Sequence, residues 1–331
     1  MIKPKGQTTM SEFQIILPDG DPSLEPVIKA PSLGRRWEAL GGLRTLTGGP
    51  LANAEEYIEA IGDAKAVLVG WPLPSGVFSA CPHLEFASFL GTGAANYIDL
   101  EEAAQCGVTV SNTPGYGDVA VAEHTIALML SSLRNIPQLD QKLKDGDWVI
   151  GVGGTELRGK VVGLVGLGGI GAHVAQLLKA FGATVKVWTR NPSAERAEKH
   201  GVEFVELSEM FQTSDIVSLH LSLTRETEQI VDSSLLAQLR EGALFVNTAR
   251  AELVDEETLR ELLREGRIRA AIDVFTPEPL LSNHAYRGLS GTVLTPHVGF
   301  DTPEALVRMM EITASNCEAY FANAAQNVVT L

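Results

Sequence analysis

A glycine-rich turn near the middle of the chain limits the folds that the chain can adopt. The segment VVGLVGLGGIG, residues 161–171, places Gly166, Gly168 and Gly171 in the spacing G-x-G-x-x-G, directly after an apolar run and directly before the helical pattern AHVAQLLKAFG. In that context the first glycine makes a tight turn, the second lets backbone N–H groups approach a diphosphate, and the third allows close packing of the helix. The segment therefore predicts a strand, turn and helix that bind a dinucleotide.

Short apolar runs alternate with helical patterns along most of the chain. Runs that predict strands span residues 13–17, 66–70, 84–91 and 107–112, and then 161–167, 184–190, 203–206, 215–221, 243–247, 269–275 and 292–295. Helical patterns include residues 119–135, 255–265 and 303–322. The first is apolar on most sides, so we expect it to lie between domains or subunits. We expect the last to run to the C-terminus. The alternation predicts an α/β fold with parallel sheets.

The charge balance restricts the partners that the chain can bind. Its 41 acidic and 26 basic residues give a formal net charge of −15, and such a field repels nucleic-acid phosphates and anionic membrane surfaces. We therefore expect a small-molecule partner, neither nucleic acid nor membrane, and an anionic substrate would need its own local arginine. Residues 161–178 lack Asp, Glu, Lys and Arg, but their glycines argue against a membrane-spanning helix.

The cysteines and the first residues bear on the compartment. Cys81, Cys106 and Cys317 are far apart and show no CxxC spacing, which is typical of a reducing compartment. Residues 1–11 are polar and lack an apolar core of signal-peptide length, so we interpret them as a loose extension. We expect a cytoplasmic protein without a metal site.

The strand after the glycine turn bears on the choice of dinucleotide. An NAD site has an acidic residue at the tip of this strand, where it binds the adenosine ribose. Here the strand reads TVKVWTRNPS, so that Thr189 stands at the acidic position and Arg190 follows it. Because a guanidinium can bind the 2′-phosphate that a carboxylate would repel, we predict a preference for NADP(H), with NAD(H) as the alternative. The competing interpretation is that Arg190 is a solvated charge.

Polar residues that follow strands are the candidates for chemistry, because ligands bind at the carboxyl ends of parallel strands. Arg250 follows LFVNTA, Glu278 follows AAIDVFTP, and His297 follows TVLTP. An arginine for a carboxylate, a histidine as proton donor and a glutamate beside it would suit hydride transfer to a keto acid. His220, after DIVSLH, is nearly as well placed as His297, and spacing alone does not rank the two.

From about residue 84 to residue 300 the chain resembles the D-isomer-specific 2-hydroxyacid dehydrogenase family. The resemblance lies in GTGAANYIDLEEA, VSNTPG, VAEHTIALML, RGKVVGLVGLGGIG, SDIVSLHLSLTRET, ALFVNTARAELVDEETLRELLREGRIRAAIDVFTPEPL and VLTPHVG, in the order of the family. Residues 1–80 and the last thirty match only loosely. Ala251 replaces a common glycine and Ser222 a common proline, and neither change touches the chemistry.

The resemblance implies an enzyme and a set of site residues. By motif, Arg250 binds the substrate carboxylate and carbonyl, His297 exchanges the proton, and Glu278 hydrogen-bonds His297. The implied substrate-binding residues are Arg250, His297, Thr92 and Gly93. Thr92 and Gly93 lie in the loop that begins at Gly91 and would bind the substrate through their backbone N–H groups. The implied cofactor-binding residues are Gly166, Gly168, Gly169, Ile170, Gly171, Thr189, Arg190, His220, Leu221, Thr248, Ala249, Arg250, Asp273, His297 and Gly299.

The resemblance also implies the domain organisation. We expect two Rossmann-like or flavodoxin-like domains with doubly wound parallel sheets, in which a dinucleotide-binding domain, 113–298, is inserted into a substrate domain, 1–112 plus 299–331. The expected function is hydride transfer between NAD(P)H and a small 2-keto or 2-hydroxy acid, as in glyoxylate and hydroxypyruvate reductases. A phosphoglycerate dehydrogenase-like enzyme and a non-catalytic NAD(H)-sensing protein stay open as alternatives. By analogy we expect a homodimer with residues 119–150 at its interface.

Overall fold

The computed structural model of the chain describes residues 14–330, which divide into two compact units. One unit takes in the chain up to Tyr116 and from Thr302 onward, and the other runs from Gly117 to Asp301. The first border, after Tyr116, lies four residues beyond the expected boundary at 112. The second, after Asp301, lies three residues beyond the expected boundary at 298. The extension expected at residues 1–11 lies outside the described residues.

The first unit is built on a parallel sheet that has five strands within the described residues. The strands are β1 (Ile15–Gly20), β2 (Leu43–Thr47), β3 (Ala66–Val69), β4 (Phe86–Phe89) and β5 (Thr109–Ser111). The helices between them are α1 (Glu25–Ile28), α2 (Pro31–Ala39), α3 (Ala54–Ile61), α4 (Val77–Ala80) and α5 (Leu100–Gln105). Their spatial order, β2-β1-β3-β4-β5, is the doubly wound order of flavodoxin-like folds.

The second unit is built on a parallel sheet of seven strands, counted over the described chain. The strands are β6 (Val161–Val165), β7 (Thr184–Trp188), β8 (Glu203–Phe204), β9 (Ile216–Leu219), β10 (Leu244–Asn247), β11 (Arg269–Ile272) and β12 (Thr292–Leu294). The helices are α6 (Asp118–Leu133), α7 (Ile136–Lys144), α8 (Gly169–Ala180), α9 (Ala194–His200), α10 (Leu207–Thr213), α11 (Ser233–Leu236) and α12 (Glu256–Arg264).

The strand order of the second unit determines where a ligand can bind. The order β12-β11-β10-β9-β6-β7-β8 reverses between β6 and β9, which is the switch point of a Rossmann fold. The predicted fold class, an α/β protein with two doubly wound parallel sheets, is therefore confirmed. The carboxyl ends of these parallel strands lie at one edge of the sheet, and the candidate residues of this unit follow β6, β7, β9, β10, β11 and β12.

Both faces of the second sheet are covered, which explains its almost continuous apolar strands. In β10, Phe245 packs in one core with the residues of α10, α11 and α12, whereas Leu244 and Val246 pack in the other core with α6 and α8. Helix α6 is largely buried in its own unit, against α8 and the strands β10 to β12. Its apolar surface, predicted from residues 119–135, is therefore used inside this unit.

The structure adds one strand that the sequence did not predict and corrects one expected helix. Strand β2 was missed because it lies at the edge of its sheet and is half exposed, so LRTLT carries a weak apolar pattern. The final helix, α13 (Pro303–Phe321), begins after the cap Thr302 but does not run to the C-terminus. Asn323 adopts a left-handed backbone conformation beyond its end, and the Val329 amide then donates to the Val110 carbonyl of β5.

Among residues 14–330 no helix is both long and apolar enough to cross a membrane.

Candidate active site and nucleotide-binding loop

The glycine turn lies between β6 and α8 and is built by close backbone contacts. Gly166 has a φ of 111°, and a Cβ there would lie 2.3 Å from the carbonyl oxygen of His220. A Cβ at Gly171 would lie 2.5 Å from the carbonyl oxygen of Gly166. Gly168, the N-cap of α8, differs because no atom lies within 4 Å of the position that a Cβ would take. The helix N-terminus therefore faces open space, which fits the diphosphate of a dinucleotide.

The next two residues of the turn have different surroundings. A Cβ at Gly169 would lie 1.8 Å from a carboxylate oxygen of Asp118, in the first turn of α6, so a larger residue there would require the Asp118 side chain to move. Ile170 packs its side chain against the core beneath α8. The loop therefore presents backbone rather than side chain at Gly168 and Gly169.

The end of β7 carries the predicted selectivity residues. Arg190 follows Thr189, and its Nη1 lies 2.6 Å from Oε2 of Glu226, in the segment after β9. The Arg190 side chain is 57 % exposed and that of Glu226 is 71 % exposed, so water screens the pair strongly. Arg190 is thus a surface cation with a carboxylate partner that the sequence did not reveal.

Arg196 on α9 joins the two loops of this edge. Its Nη2 donates to the carbonyl oxygen of Leu167 in the glycine turn at 2.8 Å, and its Nη1 donates to the carbonyl oxygen of Asn191 at 2.5 Å. The guanidinium therefore holds the glycine turn and the β7–α9 loop together, a role that sequence reasoning missed.

The segment after β10 is held by buried side chains. Asn247 donates from Nδ2 to the carbonyl oxygen of Arg250 at 2.8 Å and accepts the Ala249 amide at 3.0 Å. The hydroxyl of Thr248 lies 2.9 Å from that of Thr125 on α6. These bonds shape the backbone from which the Arg250 side chain leaves.

The two histidines that the sequence left unranked have different partners. His220 Nε2 lies 3.0 Å from the hydroxyl of Ser218, and burial lowers the pKa of His220 to about 3, so its ring is neutral. His297 instead pairs with a carboxylate, because its Nδ1 lies 2.8 Å from Oε2 of Glu278. Of these two histidines, His297 is therefore the one with the histidine–carboxylate arrangement that suits proton transfer. His220, with Leu221, lies at the switch point after β9.

Glu278 is held as an ionised acceptor. Its Oε1 accepts the Phe275 amide at 2.9 Å. Burial raises the pKa of Glu278, but the hydrogen bonds from His297 and Phe275 and the charge of Arg250 outweigh it and leave the pKa below its usual range. Since an ionised carboxylate only accepts, the Nδ1 of His297 is the donor. That leaves Nε2 as the ring atom that can exchange a proton with a substrate.

Asp273, after β11, organises the backbone around His297. Its side chain is buried and accepts the Val298 amide at 3.1 Å and the Gly299 amide at 2.9 Å, and its carbonyl oxygen accepts the His297 amide at 2.7 Å. Burial raises the pKa of Asp273, but hydrogen bonds from His124, Thr295 and these amides outweigh it and lower the pKa.

The loop at Thr92 and Gly93 belongs to the first unit. The carbonyl oxygen of Gly91 accepts from the Thr113 amide at 2.9 Å, and that of Thr92 accepts from Nδ2 of Asn112 at 2.8 Å. Within residues 14–330 no protein acceptor pairs with the amide N–H groups of Thr92 and Gly93. These two donors are thus available to a ligand.

Comparison with known proteins identifies the family. Residues 126–299 match the profile described as D-isomer specific 2-hydroxyacid dehydrogenase, NAD binding domain. The chain belongs to this family. It is 32 % identical to a hydroxypyruvate reductase of Blautia hydrogenotrophica over 303 residues, which cover 88 % of this chain and 93 % of the relative. It is 36 % identical to a glyoxylate reductase of Aeropyrum pernix, over 78 % of this chain and 79 % of the relative.

Solved structures agree with this family assignment. An NADPH-dependent glyoxylate/hydroxypyruvate reductase from Sinorhizobium meliloti, in complex with NADP and malonate, superposes with a TM-score of 0.81 and 28 % identity, over 97 % of each chain. D-3-phosphoglycerate dehydrogenases also match, but the chain spans only about half of their length, 51 % for that of Archaeoglobus fulgidus. The resemblance predicted from the motifs is thus confirmed.

Membership of the D-2-hydroxyacid dehydrogenase family establishes the reaction class. The protein is an NAD(P)-dependent oxidoreductase that acts on the CH–OH group of a 2-hydroxy acid.

Two glycine variants separate binding from folding at the nucleotide loop. Gly168→Ala adds a methyl group where the diphosphate would approach, so we expect unchanged thermal unfolding and a dissociation constant for NAD(P)H raised at least about tenfold. Gly171→Ala forces the backbone apart at Gly166, so we expect a loss of about 1–3 kcal/mol of stability. Chemical denaturation and fluorescence titration with NAD(P)H measure the two effects. A Gly171→Ala protein as stable as the wild type would contradict the packing described here.

Proposed function

We propose that this enzyme reduces glyoxylate or hydroxypyruvate with NADPH, in a site formed by Arg250, Glu278 and His297. The observation that carries the proposal is the bond between Nδ1 of His297 and an ionised Glu278, near the charge of Arg250. This group supplies a proton donor and a cation, which are what a 2-keto acid needs from the protein. The names of the relatives from Blautia hydrogenotrophica and Aeropyrum pernix support the substrate class.

Each residue has one task in this proposal. Arg250 binds the carboxylate and the carbonyl oxygen of the keto acid. Bound NAD(P)H supplies the hydride that reduces C2. His297 gives the proton on Nε2 to the carbonyl oxygen, and Glu278 stabilises the ring through Nδ1. In oxidation the same nitrogen takes the proton back.

Steady-state rates test the substrate class. Initial rates of NADPH and NADH oxidation are measured on the purified protein with glyoxylate, hydroxypyruvate, pyruvate and phenylpyruvate. We expect turnover that is fastest with glyoxylate or hydroxypyruvate. The reverse reaction is measured with 3-phosphoglycerate and oxidised cofactor. If the protein oxidised 3-phosphoglycerate but reduced none of these keto acids, a phosphoglycerate dehydrogenase would be favoured. Tight cofactor binding without any turnover would favour a sensor of the cofactor's redox state.

Removal of the reacting side chains has a predicted cost. We expect His297→Ala and Arg250→Ala each to lower kcat/KM at least about a hundredfold, because one loses the proton donor and the other the cation that orients the substrate. His83→Ala, in which an exposed histidine of the first unit is removed, serves as the control and should keep the wild-type rate. Near-normal kcat/KM in the His297 or Arg250 variant, with every substrate that the wild type accepts, would refute the assignment.

The preference for NADPH rests on Arg190 and on the absence of an acid at Thr189. A 2′-phosphate can replace the exposed carboxylate of Glu226 as the partner of Arg190, whereas a ribose hydroxyl cannot use the charge. We therefore expect Arg190→Gln to raise KM for NADPH roughly tenfold and to leave KM for NADH within about twofold. Glu226→Gln is the matched variant, and it should lower KM for NADPH because Arg190 loses its competing partner. Equal effects of Arg190→Gln on both cofactors would contradict the preference.

A homodimer is proposed from the exposed apolar side chains that follow α6. Trp148 is 83 % exposed and Ile150 is 82 % exposed, with Leu143 and Ile136 also exposed. Apolar side chains at such density are typical of interfaces between subunits. Analytical ultracentrifugation should show a dimer for the wild type and a monomer for Trp148→Asp with Ile150→Asp. Phe181→Asp, at another exposed ring, is the control and should stay dimeric, and a wild-type monomer would overturn the proposal.

A cytoplasmic location is proposed from the cysteines. Cys81, Cys106 and Cys317 are all free thiols, two of them buried. Free thiols are typical of proteins in a reducing compartment.

A further inference from the structure

His297 occupies a backbone conformation that its surroundings must hold. Its φ is 54°, in the left-handed region that few residues other than glycine adopt. The segment 295–299 is held there by one side chain, because both carboxylate oxygens of Asp273 accept bonds from it. The direction in which the His297 ring points toward Glu278 therefore depends on the placement of Asp273.

Asp273 in turn has a partner on α6, His124, which the sequence analysis did not single out. The hydroxyl of Thr295 donates to Oδ1 of Asp273 at 2.5 Å, since a carboxylate only accepts. The proton of that hydroxyl is thus used, and the Thr295 oxygen is an acceptor for Nε2 of His124 at 3.0 Å. The same nitrogen lies 3.4 Å from Oδ1 of Asp273.

The His124 ring also limits the space beside the reacting segment. A Cβ at Gly299 would lie 3.3 Å from Cδ2 of His124 and 3.0 Å from Oδ2 of Asp273. Helix α6, which carries His124, is packed along the sheet of the same unit, so the ring has a rigid support. His124 is therefore fixed against both ends of the segment, at Thr295 and at Gly299.

We propose that His124 is a positioning residue for the reaction, which acts through Thr295 and Asp273 to keep His297 in its left-handed conformation beside Glu278. The inference rests on the proposed function, in which His297 exchanges the proton. When His124 is removed, the hydroxyl oxygen of Thr295 loses its hydrogen-bond donor. The carboxylate of Asp273, which holds segment 295–299, is then less firmly fixed. The cofactor loop, between β6 and α8, is not part of this chain of bonds.

Two variants distinguish a donor from a mere packing residue. His124→Leu fills similar space without a donor, and His124→Gln keeps an N–H group at about the position of Nε2. We expect the Leu variant to lower kcat at least about tenfold with KM for the cofactor within about twofold, and the Gln variant to keep kcat within about threefold. Glu123→Gln, at the exposed neighbouring position on α6, is the control and should behave as the wild type.

A measurement without turnover separates this inference from the proposed function. Amide hydrogen exchange of His297, Val298 and Gly299 should accelerate at least about tenfold in His124→Leu and little in His124→Gln, while that of β6 and α8 stays unchanged. If the wild type turned over no keto acid, the proposed function would fail and the exchange pattern would still test the positioning. Equal exchange in the Leu variant and the wild type, or equal losses of kcat in the Leu and Gln variants, would overturn the role of His124.

Discussion

Asp273 lies at the carboxyl end of β11 with its side chain fully paired and buried. Burial of a carboxylate costs free energy of folding unless hydrogen-bond donors surround it. Here two backbone amides and the Thr295 hydroxyl donate to it. The donors belong to the segment that carries His297, so the burial of one charge fixes the backbone of the residue that we propose as the proton donor. The bond between Glu278 and Nδ1 of His297 depends on this arrangement, and so does the proposal that Nε2 exchanges a proton with the substrate.

The charges of the site reconcile an acidic protein with an acidic substrate. The chain has a formal net charge of −15, which repels a keto acid at long range. Arg250 supplies a local cation, and its charge is one of the factors that keep the pKa of Glu278 low. At the other end of the nucleotide loop, Arg190 and Glu226 form an exposed pair. A second anion, such as a 2′-phosphate, could displace the carboxylate from that pair at little cost because the pair is screened.

Local patterns were sufficient to predict most of the fold. The G-x-G-x-x-G turn and the alternation of apolar runs with helices depend on neighbouring residues, and they correctly predicted an α/β fold with parallel sheets. Strand β2 was missed because an edge strand half in water lacks a continuous apolar run. The tail after Phe321 was missed because its pairing with β5 joins residues that are far apart in sequence. The grouping of Glu278 with His297 came from the family resemblance, since spacing alone did not rank His297 above His220. His124, Arg196 and Glu226 act through contacts across 171, 29 and 36 positions, and no local signal marks them.

The most direct test of the central claim follows the hydride itself. Cofactor labelled with deuterium at the transferable position of C4 is incubated with the enzyme and glyoxylate, and the product is examined by mass spectrometry and NMR. The account predicts one deuterium on C2 of glycolate for each NADPH oxidised, at a rate that falls at least about a hundredfold in His297→Ala. Oxidation of the cofactor without deuterium on C2, or transfer at the wild-type rate by the His297→Ala variant, would contradict the assignment of Arg250, Glu278 and His297 to the reaction.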